Sequence, residues 1–248
     1  MTVARLIQHV VEPAHACVYL PEERASLEYN VLVDVGPEEY GHMIERGWRR
    51  FGPMYFRPAC ADCSQCVTLR IPTATFAPSK SQRRARKNIA ALVREMSVPV
   101  VDDERLALYA KWHTYREEER GWDPSPIDAE RYAFDFAFEH PSVREVTFRD
   151  PAADNRLVGL GIVDAVPDAL SAVYFFWDPA HAPDSLGTAH VVTLVEDAKA
   201  HGIAHVYLGY RVEGCASLSY KGRYGPHELL EGRPGFKQLP VWRGASPR

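Results

Sequence analysis

Three thiols stand at a regular spacing of three in Cys60-Ala-Asp-Cys63-Ser-Gln-Cys66. Thiolates so spaced are soft ligands for zinc or an iron–sulfur cluster, and a tetrahedral site needs a fourth. Cys17, in Ala16-Cys17-Val18-Tyr19, is the natural candidate. The plain alternative is a set of small, part-buried free thiols. Shortly afterwards, residues 79–94 carry Lys80, Arg83, Arg84, Arg86, Lys87 and Arg94, and no acid lies between Arg70 and Arg94. Such a stretch suits contact with phosphate, which gives affinity without sequence preference and weakens with salt. Its plain alternative is a solvated helix face. A thiol cluster beside a purely basic stretch makes a polyanion, and RNA first, the partner to expect.

Two further groupings could do chemistry. Ser185-Leu186-Gly187-Thr188 opens an expected helix, where free backbone amides form an anion site or a simple cap. Near the end come Tyr207-Leu208-Gly209-Tyr210-Arg211 and Tyr220-Lys221-Gly222-Arg223-Tyr224-Gly225-Pro226-His227-Glu228. Hydroxyl, ammonium and guanidinium groups crowded this way can stack on a base, hold an anion or stabilise an oxyanion. Aromatics in a strand are more often core, but Lys221 and Arg223 between tyrosines are less typical of one. Arg49 and Arg50 add two planar donors that fit phosphate or carboxylate.

The elements that must position these groups are clearer in the second half. Asp102 or Asp103 caps a helix with Leu108, Trp112 and Tyr115 on one face. Ser125-Pro126 begins another, running to about residue 139. Strand-like runs follow at 143–148, 157–163 and 170–177, separated by Asp-Pro and Pro-Asp turns, which suggests an antiparallel meander. A helix over 186–201, with Val191, Leu194, Val195 and Ala198 as its apolar stripe, leads past Gly202 to a strand over 205–210. A crossover helix after a meander lets the last strand pair in parallel. This α+β order matches the acetyltransferase-like (GNAT) fold, whose acyl-CoA members cradle a pyrophosphate where Ser185 lies here. Their Arg/Gln-x-x-Gly-x-Gly signature is absent, which argues against an ordinary acetyltransferase. Residues 1–72 read as irregular apart from a short helix over 37–46, and residues 79–96 read as a helix begun by a Ser79/Gln82 capping pattern. The break at Ser97-Val-Pro-Val-Val divides a cysteine-containing region, 1–98, from a GNAT-like domain, 99–248.

Composition sets the outer bounds. At 46% hydrophobic and 25% charged, the 248 residues are ordinary soluble material for one large domain or two small ones. A net charge of −4 excludes a protein that is basic overall, so attraction for phosphate must be local. No apolar run approaches a membrane span. The first residues show no secretory pattern, and closely spaced thiols suit a reducing compartment. A cytoplasmic protein without membrane or DNA partners is the expectation.

Several collinear segments together resemble the bacterial aminoacyl-tRNA–protein transferases, the leucyl- and arginyl-transferases. They are Cys17-Val-Tyr-Leu-Pro; Gly47-Trp-Arg-Arg-Phe-Gly-Pro-Met-Tyr-Phe-Arg-Pro-Ala-Cys60 with the two following cysteines; Phe76-Ala-Pro-Ser-Lys-Ser-Gln-Arg-Arg; Leu170-Ser-Ala-Val-Tyr-Phe-Phe-Trp-Asp-Pro; Ser185-Leu-Gly-Thr; Tyr207-Leu-Gly-Tyr; and Tyr220-Lys-Gly-Arg-Tyr-Gly-Pro-His-Glu. Departures are Phe51 in place of a serine, Ser217-Leu218-Ser219 in place of Lys-Met, and Tyr115-Arg116-Glu117 in place of an Arg-His pattern.

The resemblance implies transfer of leucine or arginine from aminoacyl-tRNA to the α-amine of proteins beginning with Asp or Glu, marking them for degradation as N-degrons. No cofactor is required for such a transfer, so zinc or an iron–sulfur cluster on Cys17, Cys60, Cys63 and Cys66 would be structural or redox-sensing. Lys80, Arg83, Arg84, Arg86 and Lys87 are assigned to tRNA phosphate. Ser185, Gly187 and Thr188 lie near the aminoacylated end, and Tyr220 and Lys221 form the reacting centre, lined by Tyr174 and Tyr210. Arg49, Arg50 or Arg223 would grip the acceptor's side-chain carboxylate. The alternatives are a non-catalytic tRNA- or metal-binding module on a degenerate GNAT scaffold, and an acyl-CoA-dependent transferase.

Overall fold

The computed structural model describes residues 4–121, 123–124 and 126–247. The chain runs β1 (Arg5–Val11), β2 (His15–Ala16), β3 (Arg24–Ala25), β4 (Leu27–Val33), α1 (Pro37–Ile44), β5 (Arg49–Phe51), β6 (Met54–Pro58), β7 (Val67–Pro72), α2 (Lys80–Asn88) and β8 (Val93–Ser97). It continues through α3 (Asp103–Arg120), α4 (Ala129–Phe136), β9 (Val143–Asp150), β10 (Arg156–Val166), β11 (Ala169–Trp177), α5 (Leu186–Ala200), β12 (His205–Arg211), α6 (Ala216–Ser219), β13 (His227–Leu230) and β14 (Trp242–Ala245).

The expectation of irregular structure over 1–72 does not hold. Four of its strands make an antiparallel sheet in the order β1-β4-β6-β5. Each is short, and β1 finds its partner β4 about twenty residues away, Arg5 opposite Val33. Proline and glycine mark the turns between them. At the β5–β6 turn Gly52 has φ +53, and a Cβ there would collide with the Phe134 carbonyl oxygen. The expected short helix is α1, with Gly47 at φ +86 just beyond it.

The main sheet has eight strands in the order β14-β13-β7-β12-β11-β10-β9-β8. β9, β10 and β11 form the expected antiparallel meander, and β12 joins β11 in parallel after α5. The helix expected over 79–96 is shorter. Ser79 and Gln82 do close the capping box, but α2 stops at Asn88. Ile89 turns into the core, and β8 then pairs antiparallel with β9, Val93 opposite Arg149 and Ser97 opposite Glu145. Covering the open edge of β9 outweighs helical continuity there. The division expected near residue 98 does not part this sheet: β7 and β8 precede it and pair with β12 and β9, which follow it.

Helices cover both faces. α2 and α5 bury Ala85, Ile89, Val192 and Val195 against Leu69, Ile71, Val206 and Leu208. On the other face α3 and α4 bury Leu108, Trp112, Tyr132 and Phe136 against Leu160, Ile162 and Phe176. α1 closes a third cluster around Tyr40, Ile44, Trp48 and Tyr55. Asp102 caps α3, and Gly121 ends it in the left-handed region. The expected start of the next helix at Ser125 lies outside the described residues; Asp128 accepts a hydrogen bond from the Arg131 amide at 2.7 Å and starts α4.

Candidate active site

β11 and β12 pair at three positions only: Ala169 with His205, Leu170 with Val206, and Ser171 with Tyr207. Just beyond the last pair, β12 has a bulge against β7 between Tyr207 and Gly209, and Gly209 has φ +75. The bulge turns β12 with β7 and away from β11. A wedge opens between the carboxyl ends of two parallel strands, the place where open α/β sheets bind ligands.

The chain after β12 folds back over this wedge. α6 leads into a 3-10 turn, Tyr220–Arg223. Lys221 Nζ donates to the Tyr210 carbonyl at 2.9 Å. A Cβ on Gly209 would lie 3.6 Å from Lys221 Nζ and 3.7 Å from Arg49 Nε, ordinary contact distances, so both cations approach one spot on the strand. Burial, with the Arg49 charge adding to it, pulls the Lys221 ammonium down to about 7, while Cys215 and Cys66 act the other way. Tyr220 remains 40% exposed and meets the Tyr224 ring edge-on at 6.4 Å.

The three candidate arginines have different surroundings. Arg50 is ion-paired to the fully buried Asp164, gives Nη1 to the Gly52 carbonyl at 3.1 Å, and shares Asp164 with the Tyr40 hydroxyl at 2.9 Å. It is committed to the interior and drops out as a substrate ligand. Arg49 is also buried, and its Nη1 donates to the Trp48 carbonyl at 2.6 Å. Its Nε and Nη2 are buried with no hydrogen-bond partner among the described residues, and no described carboxylate pairs with it. Its guanidinium carbon lies 5.6 Å from the centroids of both the Tyr207 and Tyr210 rings. Arg223 is exposed on the turn.

Tyr174 and Tyr210 flank the wedge. The Tyr174 hydroxyl and His113 Nε2 are 2.9 Å apart, and Tyr210 donates its hydroxyl to the Gly47 carbonyl at 2.6 Å. Burial raises both phenols, so neither is a proton donor of ordinary strength. At the head of α5, Ser185 is exposed in the left-handed region with φ 58, and Thr188 lies beside the Tyr224 phenol. Gly187 faces Phe175 and Trp177 at ordinary contact distance.

The expected tRNA contacts lie on α2. Lys80, Arg83, Arg84 and Lys87 are exposed, and Arg83 turns back to the Pro78 carbonyl. Arg86 is instead paired with Glu196 of α5 at 3.0 Å, and Arg94, on β8, is held by both oxygens of Asp197. The thiols share one neighbourhood: burial first, then Cys60, Cys17 and Cys63, push the Cys66 thiol up to about 12. All five cysteines are free, and among the described residues no three His, Cys, Asp or Glu side chains are arranged to hold a metal ion. Arg233 clips the loop of Cys60 and Cys63 by donating to their carbonyls at 2.8 and 2.6 Å.

Two family profiles match the chain: "Arginine-tRNA-protein transferase, N terminus" over residues 15–84, and its C-terminal counterpart over residues 104–231. The chain belongs to this family. It is 30% identical to the aspartate/glutamate leucyltransferase of Helicobacter hepaticus over 96% of its own length and 98% of the relative's. It is 34% identical to the protein of that name from Campylobacter jejuni RM1221, with 91% and 94% covered, and 35% identical to that of Aeromonas salmonicida, with 93% and 94% covered. Among solved structures, FemX is similar at a TM-score of 0.45 and 9% identity, covering 82% of this chain and 79% of that one. The transferase is thus an aminoacyl-tRNA–protein transferase, built on a mixed α+β fold.

Of the residues singled out from the sequence, the wedge gathers Arg49, Tyr210, Tyr220 and Lys221, and Thr188 lies beside Tyr224 at the end of the same turn. Gly209 and Gln82 were not recognised as part of it. An isolated glycine inside a strand pattern is a known sign of a bulge and could have drawn attention to Gly209. Gln82 was visible only as a cap.

Proposed function

We propose that this transferase moves leucine from leucyl-tRNA to the N-terminal α-amine of proteins beginning with Asp or Glu. The observation that carries the reading is the pair at Gly209: an amine poised near neutrality beside a buried guanidinium that lacks a counter-charge. Neutral Lys221 accepts a proton as the acceptor's α-amine attacks the ester carbonyl of leucyl-tRNA. The C–N bond forms, a tetrahedral oxyanion develops, and the C–O bond to the tRNA ribose breaks. The released ribose oxygen takes up a proton, and the acceptor now begins with leucine. An ester is already activated, so positioning and charge placement supply most of the effect.

Arg49 receives the acceptor's side-chain carboxylate. A buried cation without a partner is costly, and an anionic ligand relieves that cost on binding. Lys80, Arg84 and Lys87 supply phosphate contacts on the exposed face of α2. Leucine rather than arginine follows the names of the relatives. A product with N-terminal leucine fits a role in marking proteins for degradation, in the cytoplasm. No helix among the described residues is long and apolar enough to cross a membrane. The proposed step needs no metal.

A transfer assay tests this reading. Purified protein is mixed with labelled leucyl- or arginyl-tRNA and peptides beginning Asp, Glu, Asn or Ala. Label from leucyl-tRNA on the Asp and Glu peptides alone supports it. Transfer to Asn and Asp peptides equally would refute the role of Arg49, and tRNA binding without transfer would favour the non-catalytic module.

A further inference from the structure

Gln82 is 4% exposed on a helix otherwise covered with charge. The two ends of its amide serve different elements. Oε1 accepts from the Ser79 amide at 2.8 Å, closing the box that begins α2. Nε2 donates to the carbonyl of Arg223 at 3.0 Å, the last residue of the turn that carries Tyr220 and Lys221. One partner is an N–H and the other a C=O, which fixes the orientation of the amide. A capping box accepts Glu as readily as Gln, but only Gln can also donate. The choice of amide over acid therefore serves the turn and not the helix. A second tie runs beside it, from the Ala77 amide to the Gly225 carbonyl at 3.2 Å.

We propose that Gln82 is a positioning residue that sets the phosphate-binding face of α2 in register with the Tyr220–Arg223 turn, so that a tRNA held on the helix presents its aminoacyl end to Lys221. This rests on the roles assigned above to α2 and Lys221. The helix end and the turn are joined through one buried amide, so a shift of either is transmitted to the other. Removing the donor leaves the Arg223 carbonyl without its partner in a part-buried contact, and the turn relaxes toward water.

The test compares Gln82→Glu with Ser79→Ala in single-turnover and steady-state transfer. Gln82→Glu keeps the cap and loses the donor. It should hold the KM for leucyl-tRNA within about threefold and lower kcat about tenfold at neutral pH, the scale of a small misplacement at a reacting centre. Its rate should recover as pH is raised, because a loosened turn lets water reach Lys221 and returns its ionisation toward the ordinary lysine range. The groups that act on the Lys221 charge in the wild type, Arg49, Cys215 and Cys66, are unchanged in the variant, and the one added is the carboxylate at position 82. Ser79→Ala removes the hydroxyl cap but keeps the backbone amide that holds Gln82 Oε1, so the tie to the turn stays in place; it should lower the melting temperature and leave kcat and the pH profile as in the wild type. Wild-type kcat and pH profile in Gln82→Glu, or a loss confined to the KM for tRNA, would overturn the inference. A Lys221→Ala control that retains full turnover would instead overturn the reading of the active site beneath it.

Discussion

A guanidinium buried without a counter-charge costs several kcal/mol, and adjacent Arg49 and Arg50 answer that cost in opposite ways. Neighbours in a strand face opposite sides, so only one of them can stand beside Lys221. Arg50 meets Asp164 and joins a buried network with Tyr40. Asp164→Asn should therefore destabilise the fold by about 3–5 kcal/mol in urea unfolding, because a lone buried cation remains. Arg49→Ala should leave urea stability close to wild type. Its preference for Asp over Asn peptides should fall about 10- to 100-fold in kcat/KM, the worth of a charge-assisted bidentate contact. The sequence presented the two arginines as equals. Asp164 lies far along the chain with nothing local to mark it, so pairing could not be read from spacing. Lys221 was legible because an ammonium between tyrosines is unusual for a core.

At the scale of elements, the bulge in β12 makes the site. Gly209→Ala puts a side chain at φ +75 and a methyl group 3.6 Å from Lys221 Nζ. The expected cost is about 1–2 kcal/mol in stability with a larger proportional loss of transfer, read by thermal melts and kcat side by side. α2 contributes charge. Replacing Lys80, Arg84 and Lys87 together by alanine should raise the KM for tRNA and leave kcat near wild type. The slope of log KM against log salt should become shallower by about two. The helices of the second half were legible from their caps and apolar stripes. The end of α2 was not, because β8 is specified by the open edge of β9, a tertiary partner that local propensity does not register.

For the whole molecule, the meander, the crossover helix and the parallel strand were readable because each carries its own periodicity. The first four-stranded sheet was missed, since its strands are short and their partners supply the pattern. The same sheet carries Arg49 on β5 to the wedge, so the region read as irregular supplies the arginine of the proposed acceptor site. β7 places that region and the second half in one sheet, and stability should be lost in a single transition by both fluorescence and circular dichroism.

The most direct test is the pH dependence of single-turnover transfer from leucyl-tRNA to an Asp peptide, in wild type and Lys221→Ala. Burial depresses the Lys221 ionisation to about 7, so the neutral, proton-accepting form grows as pH rises through that value. The wild-type rate should climb through two ionisations: one near 7 from Lys221 and one at about 8 from the acceptor's α-amine. Lys221→Ala should be slower by about 10²- to 10⁴-fold and keep only the α-amine ionisation. A variant with the wild-type rate, or one that still shows both ionisations, would contradict the assignment of Lys221 as the base.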